Sequence, residues 1–240
     1  MDNGAVKPVP TRRVCGLLLA ASGLLCGCVS TVEGAAVRAQ GAAPVDVGVL
    51  DEAALGRLIL TIGEVNGIMG STQMKVTGEL DQMTDHSDEV SDPDCLGAVY
   101  GAEEPVYART GWTAVRDQVA REPDDDNDHW VEQTAVLYPT AQAATMFLDT
   151  SFTTWQGCAG ESIDVGDGEY SWQLGDVDAT DTGGVDLITQ MTTQQGADGW
   201  ECQHALSAVS NATVEAWACG YNITGEAAEI ATAMVGKARK

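Results

Sequence analysis

Two cysteines placed symmetrically about a tight turn restrict this fold more than any other feature. Residues 200–209 and 212–221 both alternate in the manner of strands, and Ser210-Asn211 between them reads as a two-residue turn. Such a turn pairs Val209 with Ala212. Counting outward, Cys202 faces Cys219, His204 faces Trp217 and Trp200 faces Tyr221. Directly opposed residues of an antiparallel pair come within disulfide reach. The chain has seven cysteines, and three of them (Cys15, Cys26, Cys28) lie close to the N-terminus. The remaining four form an even set, and once Cys202 pairs with Cys219, Cys95 is left with Cys158. In the chain-entropy picture the hairpin bridge contributes about 3 kcal/mol and the longer loop about 4 kcal/mol.

Paired thiols require an oxidising compartment, and the N-terminus reads as the means of reaching one. Lys7, Arg12 and Arg13 precede an uncharged stretch from Val14 to Gly27 rich in leucine. That is short for a membrane span but of the right length for the apolar core of a signal peptide. Leu25-Cys26-Gly27-Cys28 resembles a bacterial lipobox, which assigns Cys28 as the lipidated residue. The expected organisation is a lipoprotein signal peptide over 1–27, a flexible tether over 28–47 and a folded domain over 48–240. Acylation would hold the protein on the outer side of the cell membrane without a spanning helix. Thr11-Arg12-Arg13 fits a twin-arginine signal poorly, and the export route stays open.

A net charge of −24 repels phosphate backbones and anionic lipid surfaces, which excludes nucleic acid as a partner. With 44% apolar and 20% charged residues, the chain is able to build a packed core.

Along the folded part, Asp51 caps a first helix with Ala54, Leu55, Leu58, Ile59 and Ile62 at helical spacing, and a second piece runs over 64–69. Met74 to Thr77 suggests a short strand. An acidic loop over 81–94 leads to a helix start at Asp92-Pro93. Strands are expected over 112–122 and 129–138, joined by the acidic run 123–128. Thr140 caps the clearest helix, whose apolar face ends at Trp155 beside Cys158. Strands near 170–176 and 185–194 precede the cysteine hairpin, and Thr224 caps a last helix. The expected fold class is α+β: a mainly antiparallel sheet of about six strands, with helices on one face and two disulfides.

These residues resemble one family, the PknH-like extracellular sensor domains of mycobacteria. The likeness rests on Glu64-Val65-Asn66-Gly67-Ile68-Met69-Gly70, Asp94-Cys95-Leu96-Gly97-Ala98, the stretch from Ala141 to Phe147, and Trp155-Gln156-Gly157-Cys158-Ala159-Gly160. It continues in Gly199-Trp200-Glu201-Cys202-Gln203-His204-Ala205-Leu206 and Ala218-Cys219-Gly220-Tyr221-Asn222. The resemblance implies an antiparallel sheet with flanking helices, a cleft thought to receive a ligand, and pairing of first with second and third with fourth cysteine. With no kinase segment and no spanning helix in these residues, the role it implies is ligand binding alone.

No catalytic motif stands out. Nucleophile-elbow, zinc-protease, phosphate-loop and dinucleotide patterns are all missing from the sequence. His86, His129 and His204 sit in unrelated contexts. Asp124 to Asp128 fails as an EF-hand, because its sixth and twelfth positions hold His129 and Ala135. No metal and no cofactor is expected. Trp112, Trp130, Gln133, Tyr170 and Trp172 combine aromatic rings with amides, which suits a small organic or sugar-like ligand. The reading is therefore a non-enzymatic ligand-binding lipoprotein whose partner is a small envelope ligand or an envelope protein. An envelope hydrolase with a scattered active site and a structural docking protein are the alternatives.

Overall fold

In the computed structural model, the described residues are 47–123, 127–181 and 184–239. The expected signal peptide, Cys28 and nearly all of the expected tether lie outside them, as does much of the acidic run after Pro123. Helices α1 (Glu52–Leu58) and α2 (Ile62–Met69) come first. Asp51 caps α1 by accepting from the Ala54 N–H at 2.9 Å. Thr61 and Glu64 form a reciprocal capping box on α2, and Gly70 closes it in the left-handed region at φ 69°. The break after Leu58 places Ile62 at the start of the second helix rather than on the first.

Strand β1 (Lys75–Leu80) is followed by a loop with two short 3-10 turns, then α3 (Leu96–Val99) and α4 (Glu104–Tyr107). Strands β2 (Ala114–Arg121) and β3 (His129–Leu137) lead into α5 (Ala141–Cys158), capped by Thr140. Strands β4 (Ser162–Val165), β5 (Tyr170–Asp181), β6 (Asp186–Gln194), β7 (Trp200–Val209) and β8 (Ala212–Tyr221) precede α6 (Glu226–Ala238). Helix α6 is capped by Gly225, not Thr224. The Glu226 carboxylate accepts from the N–H groups of both Thr224 and Gly225, at 2.7 and 2.8 Å, and fixes the chain one residue later.

The eight strands form one antiparallel sheet in the order β1-β2-β3-β8-β7-β6-β5-β4. The sheet thus has eight strands where the sequence pattern suggests six. The two edges are β1, which extends the short strand suggested over 74–77, and β4, which the pattern did not suggest. Both are short, which helps edge strands resist pairing with another chain; β1 is largely exposed, while β4 buries Ile163 and Val165.

Helices cover both faces of the sheet, not one. On the first face, α1, α2 and α6 pack over Val131, Ala135, Ala205, Val214, Ala216 and Ala218. On the second, α5 and the α3–α4 segment pack over Val115, Val136, Leu174, Ile188 and Leu206. Strand β8 is buried at every position but its last, so it carries no polar alternation that would reveal an open face. Small side chains on its first face let α6 approach, where Ile230 and Met234 are wholly buried.

The hairpin register is as counted from the turn: Cys202 pairs with Cys219, His204 with Trp217 and Trp200 with Tyr221. Both disulfides form, Cys95–Cys158 and Cys202–Cys219. Asn211 does more than turn the chain. Its buried carboxamide accepts from Leu50 N at 2.7 Å and donates to Leu50 O and Tyr138 O, at 3.1 and 2.8 Å. It thereby fastens the segment before α1 to the sheet.

Candidate aromatic and carboxylate cavity

Helix α5 covers only part of the second face. Beside it the sheet floors a cavity of about 590 Å³. The pleat decides which side chains reach it, because alternate residues point the same way. Strand β3 supplies Trp130 and Glu132, β8 supplies Trp217 and Cys219, β7 supplies Trp200 and Cys202, and β6 supplies Thr192. Register lines them up in rows: Val119, Glu132, Trp217 and His204 in one, Trp130, Cys219, Cys202 and Thr192 in the next. The Cys202–Cys219 bridge thus lies in the floor, surrounded by Trp130, Trp172, Trp200 and Trp217. The walls come from Trp172 and Tyr170 of β5 and from the loop carrying Thr84, His86, Tyr100 and Glu103.

Three acidic side chains border this space: Glu103, Asp117 and Glu132. Glu103 is 1% exposed. Its Oε1 meets His86 Nδ1 at 2.5 Å and accepts from the Thr84 hydroxyl at 2.9 Å, and its Oε2 accepts from the His86 N–H at 2.7 Å. The His86 ring in turn stacks on Tyr100 at 4.8 Å. Asp117 accepts from the Thr134 hydroxyl at 2.6 Å. Its carboxyl also hydrogen-bonds that of Glu132. Burial raises the pKa of Asp117, with the Glu215 charge adding to the rise. Burial pushes Glu132 well above the usual carboxylate range, and the charges of Asp117, Glu215 and Glu103 act in the same direction. Burial and mutual repulsion therefore disfavour ionising both members of the Asp117–Glu132 pair at once, as in other close carboxyl pairs.

Beside the floor, on the same sheet face but under α5, lies a second polar group. Glu215 accepts from the Tyr107 hydroxyl at 2.8 Å and pairs with His204 Nε2 at 2.6 Å. His204 is wholly buried between Trp217 and Trp155, with ring centroids at 3.8 and 3.9 Å. Burial lowers the His204 pKa, and Glu215 works against that shift. This network braces the floor from the side, between the sheet and α5.

Of the five residues chosen from sequence, Trp130, Tyr170 and Trp172 come together at the cavity. Gln133 does not. It points to the other face of β3, where it accepts from Leu60 N at 2.8 Å and steadies the α1–α2 connection. Trp112 packs against the second core cluster instead. Sequence reading missed the carboxyl groups and the tryptophans of the cysteine hairpin. One signal was available: Glu132 stands two residues from Trp130, on the same side of its strand. Glu103, in a loop, offered none.

Another depression, of about 520 Å³, runs between α5 and the α3–α4 segment. Its charged groups are Asp94 and Arg109, and its lining includes none of the buried polar atoms that lack a partner. The aromatic and carboxylate cavity is the better candidate. Among the described residues, no cluster of His, Cys, Asp or Glu is arranged to hold a metal ion, and no helix is long and apolar enough to cross a membrane.

Residues 50–237 match the family described as PknH-like extracellular domain. The serine/threonine-protein kinase PknH of Mycobacterium bovis is 42% identical over 191 residues, covering 79% of this chain and 31% of the kinase. The Mycobacterium tuberculosis kinase of the same name is also 42% identical, with 30% of its length covered. The chain thus spans under a third of the length of these relatives. The crystal structure of the extracellular domain of PknH from Mycobacterium tuberculosis matches with a TM-score of 0.73 and 39% identity, over 79% of this chain and 97% of that one.

Proposed function

Because the chain belongs to the PknH-like extracellular domain family, we propose that it is a sensor-like, ligand-binding domain working outside the cytoplasm, held at the membrane by lipid on Cys28. The observation that carries the reading is the cavity of about 590 Å³, floored by a disulfide-pinned hairpin and ringed by four tryptophans. A preformed concave site with aromatic walls and a few convergent polar groups is the usual form of a small-molecule site. Two disulfides support an oxidising compartment. The tryptophan rings supply apolar area at little entropic cost, and the carboxyl groups supply orientation.

Titrating the protein with envelope-derived ligands while following thermal unfolding tests this. A ligand at 100 times its dissociation constant adds about 2.7 kcal/mol of stability. That shift should vanish in a Trp130→Ala, Trp172→Ala double variant. Unchanged melting across a broad panel would count against the proposal.

The buried Asp117–Glu132 pair, both of whose carboxyl pKa values are raised, favours a second reading, an envelope hydrolase, because such pairs serve acid–base catalysis. Screening ester, glycoside and peptide substrates separates the two readings. Turnover abolished by Asp117→Asn would favour the enzyme.

A further inference from the structure

We propose that the cavity selects an organic amine, with an ammonium group seated at Asp117 and Glu132, its body against the tryptophans, and a hydrogen-bond acceptor toward Trp217 or Thr192. This names the ligand class for the site proposed above and rests on that reading.

Three independent observations converge on it. The first is charge. Glu103, Asp117 and Glu132 border the cavity, and among the described lining residues there is no Lys or Arg. The sole basic side chain there, His86, is engaged by Glu103. An anionic ligand would meet repulsion without a counter-charge.

The second is aromatic. Trp130, Trp172, Trp200 and Trp217 surround the floor, and indole faces attract ammonium ions as well as apolar rings. A hard divalent cation needs six or more oxygens around it, and an aromatic floor does not supply them.

The third is unmet hydrogen bonding. Trp217 Nε1 and Thr192 Oγ1 have no partner among the described residues. Both belong to the cavity lining, at 5% and 1% exposure. An indole N–H can only donate, so its natural partner is a ligand oxygen. Strand β3, which carries Glu132, stands three strand spacings from β6, which carries Thr192, roughly 14 Å. Trp217 stands directly opposite Glu132, one strand spacing away, so an acceptor at Trp217 suits a short ligand and one at Thr192 a longer one.

Seating the ammonium changes the protonation of the site. With no cation present, ionising both Asp117 and Glu132 is disfavoured, so the pair retains a proton to higher pH than free carboxyls do. An ammonium ion replaces that proton as the counter-charge, so it leaves to solvent. The other titratable groups facing the pair are Glu215 from β8, with its partners Tyr107 and His204, and Glu103 and His86 from the loop. Each keeps its own hydrogen bond when the proton departs.

Calorimetric titration of the purified protein at pH 7.5 and low salt tests the inference with two probe sets. One set is tryptamine, 3-methylindole and indole-3-propionate. The other is glucosamine, glucose and glucuronate. Within each set the body is shared and the charge runs from positive through neutral to negative. The amine should bind at least about tenfold tighter than its neutral counterpart, with the anion undetectable at millimolar concentration. The set that binds more tightly tells whether the body is an aromatic amine or an amino sugar.

Amine binding in buffers of different ionisation enthalpy should show proton release, and neutral probes none. This readout needs no variant. Glu132→Gln and Asp117→Asn should each cut amine affinity about tenfold and narrow the preference for the amine over its neutral counterpart. Equal affinity across charges, or amine binding without proton release, overturns the inference. So does silence from all six probes while an envelope ligand lacking an amine stabilises the protein, an outcome that leaves the sensor reading standing. If no ligand of any kind binds, both fall.

Discussion

At the scale of single residues, this molecule is unusual for the acidic groups it buries. Glu215 is 5% exposed and Asp117 5% exposed, on neighbouring parts of one sheet face. Glu215 is tolerable there because Tyr107 and His204 hydrogen-bond both its oxygens. Removing it strands two partners in a dry site. Glu215→Ala should therefore cost about 3–5 kcal/mol, read as a lower urea midpoint at unchanged slope.

Glu132 has the opposite sense. Its folded pKa lies well above the ordinary value of 4.5. Above pH 4.5 the unfolded chain gives up this proton while the folded one retains it. That contribution to stability is full below pH 4.5 and is lost as pH rises through the folded pKa. Glu132→Gln should then match the parent near pH 4.5 and melt above it at pH 8, each kcal/mol relieved adding about 2–4 °C. His204 acts at the other end of the range. Its folded pKa is lowered from 6.5, so the unfolded chain binds the extra proton and stability falls as pH drops below that value in parent and variant alike.

At the scale of elements, the β7–β8 hairpin is the unit on which the site depends. Its disulfide closes a separation of 17 residues, and the other closes 63. Replacing Cys202 and Cys219 together with serine should cost about 3 kcal/mol, and replacing Cys95 and Cys158 about 4 kcal/mol. Calorimetric melting checks the order. The first pair should also weaken ligand binding, because the bridge lies in the cavity floor, whereas the second ties α5 to the segment before α3. Most elements were legible because their signals are local. Asp51 and Thr140 cap helices with their own side chains, and the apolar stripe of α5 repeats with helical period. The edges β1 and β4 were harder to read. Val76 and Leu80 of β1 remain exposed, so no buried period marks the strand as structured. Strand β4 has four residues, too few for a pattern to declare itself.

For the whole molecule, a net charge of −24 offers no electrostatic attraction to an anionic membrane surface, so the proposed membrane attachment rests on the lipid at Cys28 alone. If Cys28 carries the lipid, Cys28→Ala should move the protein from the detergent phase to the aqueous phase in a two-phase partition. Mass spectrometry of the parent should find a mature chain beginning at an acylated cysteine. An intact leader would remove the anchor from the proposal while leaving the family and the cavity untouched.

The sequence alone determined what neighbours along the chain can decide: the hairpin register, both disulfides, the long capped helix and the α+β class. It did not determine which side of each central strand faces the cavity. Strands β3 and β8 are covered on both faces, so polar alternation, the cue that separates inside from outside, is missing there. Gln133 and Glu132 are adjacent in sequence and end on opposite sides of the sheet, one as a strut and the other in the site. Glu103 from a loop, Asp117 from β2, Glu132 from β3 and Glu215 from β8 meet only when the sheet closes and the loop folds over it. Charge repulsion and desolvation among them arise from that meeting, and tertiary structure alone produces it.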